Sequence, residues 1–168
     1  MNRLIIVFGL PWSGKTTVSR IFREYYGKES IILRTDEIRQ ELFPKSLYTQ
    51  EESDKVYAEF YRRTSYFLGI GKIVILDGVF IKQSERKHVQ DLAKNIHCPC
   101  QFIYVTSDEK HTKERLDQRR WDASEADYEV YLKLKSYFEK VTGKYITIDN
   151  SGNIWDLKVN IFSFLSTN

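Results

Sequence analysis

The stretch Leu4-Ile5-Ile6-Val7-Phe8-Gly9-Leu10-Pro11-Trp12-Ser13-Gly14-Lys15-Thr16-Thr17-Val18 decides the fold. Its first five residues are apolar without alternation and rich in β-branched side chains, as a strand covered on both faces by helices requires. After Thr17, apolar residues recur at Val18, Ile21, Phe22 and Tyr25, the spacing of one helix face, and Gly27 is placed to end that helix. Between strand and helix lies the pattern G-x-x-x-x-G-K-T. Gly9 and Gly14 let the backbone turn so that successive N–H groups point at phosphate oxygens, and the helix adds its positive end at the same place. The strand before and the amphipathic helix after are the context that gives this pattern its meaning.

Gly9, Pro11, Trp12, Ser13, Gly14, Lys15, Thr16 and Thr17 are therefore the expected cradle of ATP. Lys15 is placed to reach the β- and γ-phosphates and Thr16 to put its hydroxyl on Mg²⁺. Trp12 has two readings, contact with nucleotide or acceptor and cover for apolar surface, and spacing does not choose between them.

Working outward, Ile31-Ile32-Leu33, Ile73-Val74-Ile75-Leu76, Phe102-Ile103-Tyr104-Val105 and Tyr145 to Ile148 read as further strands. Helical patterns separate them: a short helix over 36–42, a longer one over 51–68, then 84–95, 108–119, a segment after 127 and a terminal helix after Asn150. This alternation predicts right-handed βαβ crossovers and a three-layer α/β/α domain on a parallel sheet, with ligands beyond the carboxyl ends of the strands. A chain of 168 residues fits one such domain, spanning 1–168.

Composition excludes several classes. A net charge of +3 is too small to mark a dedicated duplex binder. Cys98 and Cys100 have no second pair of ligands at metal spacing and cannot form a disulfide framework, so structural thiols in a reducing compartment are expected. The apolar start runs straight into the phosphate loop without a cleavage signal, and no apolar run approaches the roughly 20 residues that span a bilayer. The expectation is a cytoplasmic location with no membrane partner.

Two acidic positions stand at predicted strand ends. Asp36 and Arg39 open the helix after the second strand, three residues apart, where the carboxylate can accept the proton of an attacking hydroxyl and the guanidinium can hold an anionic acceptor. The alternative is a helix cap and a surface ion pair. Asp77 ends the third strand, where it can organise the Mg²⁺ water shell, orient Arg39, or simply begin a turn. Farther on, Lys113, Arg115, Arg119 and Arg120 are interleaved with Asp108, Glu109, Glu114 and Asp117. Such a helix is either a solvated face or part of a basic lid that closes over the transferring phosphoryl group. Arg115 and Arg119, at i and i+4, favour the lid.

In G-L-P-W-S-G-K-T-T at 9–17, T-D-E-I-R at 35–39, I-L-D-G-V-F at 75–80 and R-L-D-Q-R-R at 115–120, the chain resembles the AAA-domain group of P-loop kinases, relatives of the polynucleotide 5′-hydroxyl kinases. It is more distantly similar to adenylylsulfate kinases and chloramphenicol phosphotransferases. The resemblance implies a five-stranded parallel sheet in the order 2-3-1-4-5 with a helical lid over approximately 115–127. It also implies that Asp36 is the general base, that Arg39 lies near the acceptor phosphate, and that Arg119, with Arg115 and Arg120 behind it, engages the ATP phosphates. Trp12 departs from the pattern, standing where a small residue is usual.

The leading expectation is an ATP-dependent kinase acting on the hydroxyl of a small-molecule acceptor. A nucleic-acid 5′ end is the alternative acceptor, served by Arg34, Arg39, Lys45, Tyr48, Arg62 and Arg63 around the mouth. A slow ATPase switch is the alternative of another class, disfavoured because a switch needs no acceptor base.

Overall fold

The computed structural model describes residues 2–118 and 128–166. Strand β1 (Arg3–Phe8) leads through the phosphate loop into helix α1 (Lys15–Tyr26), which a single 3₁₀ turn (Gly27–Glu29) joins to β2 (Ser30–Arg34). Helices α2 (Thr35–Leu42) and α3 (Gln50–Gly69) precede β3 (Ile73–Gly78), and α4 (Gln83–Asn95) precedes β4 (Cys100–Thr106). Helices α5 (Glu109–Gln118) and α6 (Tyr128–Tyr137) follow, then β5 (Ile146–Asp149) and α7 (Ile154–Ser166). The sheet has five strands in the order β2-β3-β1-β4-β5, every pairing parallel. This is the expected P-loop arrangement.

The two-residue period of β1 divides the core. Leu4, Ile6 and Phe8 face Phe60 and Leu68 of α3 and Val89 and Ala93 of α4, while Ile5 and Val7 face Val18 and Phe22 of α1 and Leu157 and Ile161 of α7. All five β1 side chains from Leu4 to Phe8 are fully buried, which is why the strand carries no polar alternation. Burying Phe22 or Phe60 contributes about 2–3 kcal/mol each.

Helix α3 begins on Thr49, whose hydroxyl accepts from the Glu52 N–H at 3.2 Å, a conventional N-cap. The aromatic run from Tyr57 to Tyr66 belongs to the core: Phe60 is fully buried, Tyr57 and Tyr61 pack partly against it, and only Tyr66 is mostly exposed. In α7, Leu157, Ile161 and Leu165 form the buried stripe, whereas Trp155 and Val159 lie on the opposite, exposed face. Cys98 and Cys100 are free thiols against the core, and burial pushes the Cys100 thiol up to about 12. No helix of the described residues is long and apolar enough to cross a membrane.

The segment after β3 is fixed by a buried arginine. Arg86, 4% exposed, donates to the carbonyls of Phe80 (2.6 Å) and Ile81 (3.0 Å) on one side and of Glu139 (3.1 Å) and Lys140 (3.3 Å) on the other. Its guanidinium also lies over the rings of Phe8 and Phe138, 5.7 and 5.6 Å from their centroids. The chain after β3 and the chain after α6 are thereby tied to the end of β1.

Candidate active site

The carboxyl ends of β1, β2 and β3 meet because of register. Val7 pairs with Asp77 on one side of β3 and Arg34 pairs with Asp77 on the other, so the phosphate loop, the start of α2 and Asp77 share one edge. The loop itself is held by steric fit. Gly9 and Gly14 have φ of 150° and 89°, and a Cβ at either would strike the Val105 carbonyl or the Asn150 amide. Trp12 also adopts positive φ, 67°, a conformation that costs a bulky residue energy.

At the start of α1, the Thr16 hydroxyl donates to Asp77 Oδ2 at 2.8 Å. Lys15 Nζ donates to the Leu10 carbonyl across the loop at 2.7 Å. Burial lowers the Lys15 pKa, against the opposing pull of Asp77 and Asp36. Burial likewise raises the pKa of Asp77, which is 5% exposed, and Lys15, the Thr16 hydrogen bond and Arg34 pull it back. Thr16 and Asp77 together offer two hard oxygen donors, a set that fits Mg²⁺ completed by phosphate oxygens and water. Among the described residues, no cluster of three or more His, Cys, Asp or Glu side chains is placed to hold a metal without such help.

Asp36 is exposed in the first turn of α2, close enough to the loop for its charge to act on Lys15. Arg39 does not turn to either carboxylate. Its Nη2 donates to Ser53 Oγ at 3.1 Å, its Nη1 lies 3.9 Å from Glu52 Oε2, and the guanidinium stacks 5.0 Å from the Tyr48 ring centroid. Besides Lys15, the cation that acts on Asp77 is Arg34, whose Nε lies 3.4 Å from Asp77 Oδ2. The sequence placed Arg34 only in a possible basic mouth. The signal that finds it is strand register, since Arg34 and Asp77 are the paired ends of neighbouring strands.

On the far side of β1 the loop is stapled by Asn150, which follows β5. Its amide Nδ2 donates to the Ser13 carbonyl at 3.0 Å, its N–H to the Thr106 carbonyl at 2.8 Å, and its own carbonyl accepts from Arg115 Nη2 at 2.6 Å. Arg115 Nη1 donates to the Trp12 carbonyl and to Ser107 Oγ, both at 3.2 Å. Trp12, Gly14, Thr17, Arg115, Asn150, Gly152 and Ile154 line a cavity of about 160 Å³ there. The expected lid falls mainly on Arg119, Arg120 and residues 121–127, which lie outside the described residues.

A family model described as "AAA domain" matches residues 4–141, most of the chain. The chain belongs to that AAA-domain family. Uncharacterized proteins of Mycobacterium bovis and Mycobacterium tuberculosis are 31% identical to it over 107 residues, a match that covers 56% of this chain and 21% of theirs. The matched part of the chain thus spans about a fifth of the length of those curated relatives. Solved structures share the fold throughout. A sugar kinase from Janibacter superposes with a TM-score of 0.71 at 14% identity, covering 99% of this chain and 95% of that one. The APS kinase of Mycobacterium tuberculosis, in complex with AMPPNP and APS, gives 0.68 at 14% identity with 98% of both chains covered. A chain of an RNA repair complex gives 0.70 at 17% identity, covering 82% of this chain and 44% of that one.

Proposed function

We propose that this AAA-domain protein is a kinase that moves the γ-phosphoryl group of ATP to a hydroxyl of a small molecule. The observation that carries the reading is the shared strand edge. Lys15, Thr16 and Asp77 converge at the phosphate loop, and a carboxylate, Asp36, stands one strand over. A triphosphate lying along the loop has its γ end toward Thr16 and Asp77. Its nucleoside end then lies across β1, where Trp12, Thr17 and Arg115 line the small cavity.

In the reaction, the acceptor oxygen forms its bond to the γ-phosphorus as the bond from that phosphorus to the β–γ bridging oxygen breaks. The acceptor proton passes to Asp36, and ADP leaves. Lys15 neutralises charge on the β- and γ-oxygens. Mg²⁺, when bound, would be held by the Thr16 hydroxyl and, through water, by Asp77, and would supply further neutralisation of the phosphates. By sequence Arg119, with Arg120, is the lid cation for the same phosphates. Arg39, held on Ser53 and Tyr48, serves the acceptor side.

A small acceptor is favoured because the basic mouth of the nucleic-acid alternative is largely neutralised from within. Arg62 and Arg63 are paired with Glu59, Arg63 also with Glu41, and Arg34 with Asp77 and Glu37. The sugar kinase and APS kinase that share the fold act on small molecules by name, in keeping with this choice. The test is phosphoryl transfer from labelled ATP to a panel of sugars and other small alcohols, with a 5′-hydroxyl oligonucleotide alongside. Labelled small product is expected, and Asp36→Asn should slow its formation by about 10²–10⁴-fold while leaving ATP affinity within about twofold. Label on the oligonucleotide alone would replace the acceptor class. Normal transfer by Asp36→Asn would remove Asp36 as the base.

A further inference from the structure

Asp77 is a buried carboxylate with a permanent cation already beside it. Oδ2 accepts the Thr16 hydroxyl at 2.8 Å and lies 3.4 Å from Arg34 Nε. The other arm of the same guanidinium, Nη1, lies 3.2 Å from Glu37 Oε1 at the rim. The two contacts are unequal in setting: the Arg34 side chain is 15% exposed and that of Asp77 4%, whereas Glu37 is 53% exposed. The rim pair contributes little, while the inner pair offsets the cost of a buried charge.

The inner pair conflicts with the chemistry of the same oxygen. Resting on the proposed kinase reading, Asp77 has to turn its charge toward a dication bound at Thr16. A guanidinium in contact with Oδ2 and a dication held behind one water on the same carboxylate repel each other in a site this poorly hydrated. Glu37, already in contact with the outer arm, is placed to receive the guanidinium when it leaves. We propose that Arg34, which shares the neutralisation of Asp77 with Lys15, yields the carboxylate to Mg²⁺ as the nucleotide–metal complex binds, and that this exchange sets how tightly the metal is held. Arg34 is then a positioning residue of the metal side and not part of the acceptor mouth.

The experiment measures Mn²⁺ binding by electron paramagnetic resonance to the full chain saturated with ADP, with no turnover involved. Arg34→Gln removes the competing charge and should tighten Mn²⁺ binding by about tenfold, whereas Arg34→Lys keeps the charge and should stay within about twofold of wild type. Glu37→Gln, at an exposed position that does not threaten folding, removes the receiving carboxylate and should weaken Mn²⁺ binding by about threefold. Unchanged or weaker binding in Arg34→Gln, equal behaviour of the Lys and Gln variants, or unchanged binding in Glu37→Gln overturns the exchange. Wild-type protein that binds no ADP overturns the kinase reading as well. Normal ADP and Mn²⁺ binding with indifferent variants overturns the exchange alone.

Discussion

Gly14 is under two constraints at once. Its φ of 89° excludes most side chains, and the Asn150 amide fills the space where a Cβ would stand. Gly27 has a φ of 59° but nothing within 4 Å of its virtual Cβ, so it shares the first constraint and lacks the second. Gly27→Ala should therefore cost about 1 kcal/mol of stability and leave ADP affinity alone. Gly14→Ala should weaken ADP binding by more than about tenfold, because the loop must move off Asn150 and the Ser13 carbonyl that it holds. Calorimetric titration of the two variants checks this, and ADP affinity equal to wild type in Gly14→Ala would mean the loop does not depend on that fit. The glycines, Lys15 and Thr16 were legible in the sequence because a strand, a tight turn and a helix fix them locally. Arg34 and Asn150 were not, since one depends on strand register and the other on an amide that bonds 137 residues away. Arg39 was read as facing the crevice from its three-residue spacing to Asp36, and the competing partners Ser53 and Tyr48 belong to a different part of the chain.

At the level of elements, the strands and most helix positions followed from apolar patterning, since Leu4 to Phe8 of β1 and Val74 to Leu76 of β3 are buried on both faces of the sheet. Periodicity did not select the buried face of α7, because Trp155 and Val159 are as apolar as the residues that do pack. Nor did it reveal what fixes the connection from β3 to α4. Arg86 does so, donating to carbonyls of two separate segments that the Glu139 N–H also joins by donating to the Ile81 carbonyl at 3.1 Å. Arg86→Ala leaves those carbonyls without their charged donor and opens space between Phe8 and Phe138. The expected loss is about 3 kcal/mol, since hydrogen bonds to charged groups contribute about 1.5–3 kcal/mol each and water replaces part of them. In a chain of this length that lowers the melting temperature by about 6–12 °C, readable by calorimetry. A loss below about 1 kcal/mol would show that the packed rings hold the segment without Arg86.

Across the whole molecule, the sheet order separates two halves of one site. Asp36 follows β2, Asp77 lies at the end of β3, and Asn150 follows β5, so the phosphate loop after β1 lies between the proposed acceptor side and the proposed nucleoside side. A ligand bridging the loop draws on α1, β3, β4, α5 and β5 together, because Thr16, Asp77, Thr106, Arg115 and Asn150 are already joined to one another or to the loop. ATP at about 100 times its dissociation constant should then stabilise the fold by about 2.7 kcal/mol, raising the melting temperature by about 5–11 °C. Lys15→Ala separates binding from folding. Burial already disfavours the charged ammonium, as its lowered pKa shows, so without nucleotide the variant should melt within about 3 °C of wild type. With ATP its shift should fall below about 2 °C, since the cation for the β- and γ-phosphates is gone. A full ATP shift in Lys15→Ala would mean that backbone N–H groups and the cavity beside Trp12 carry the binding energy, and that Lys15 acts only on the transferring phosphoryl group.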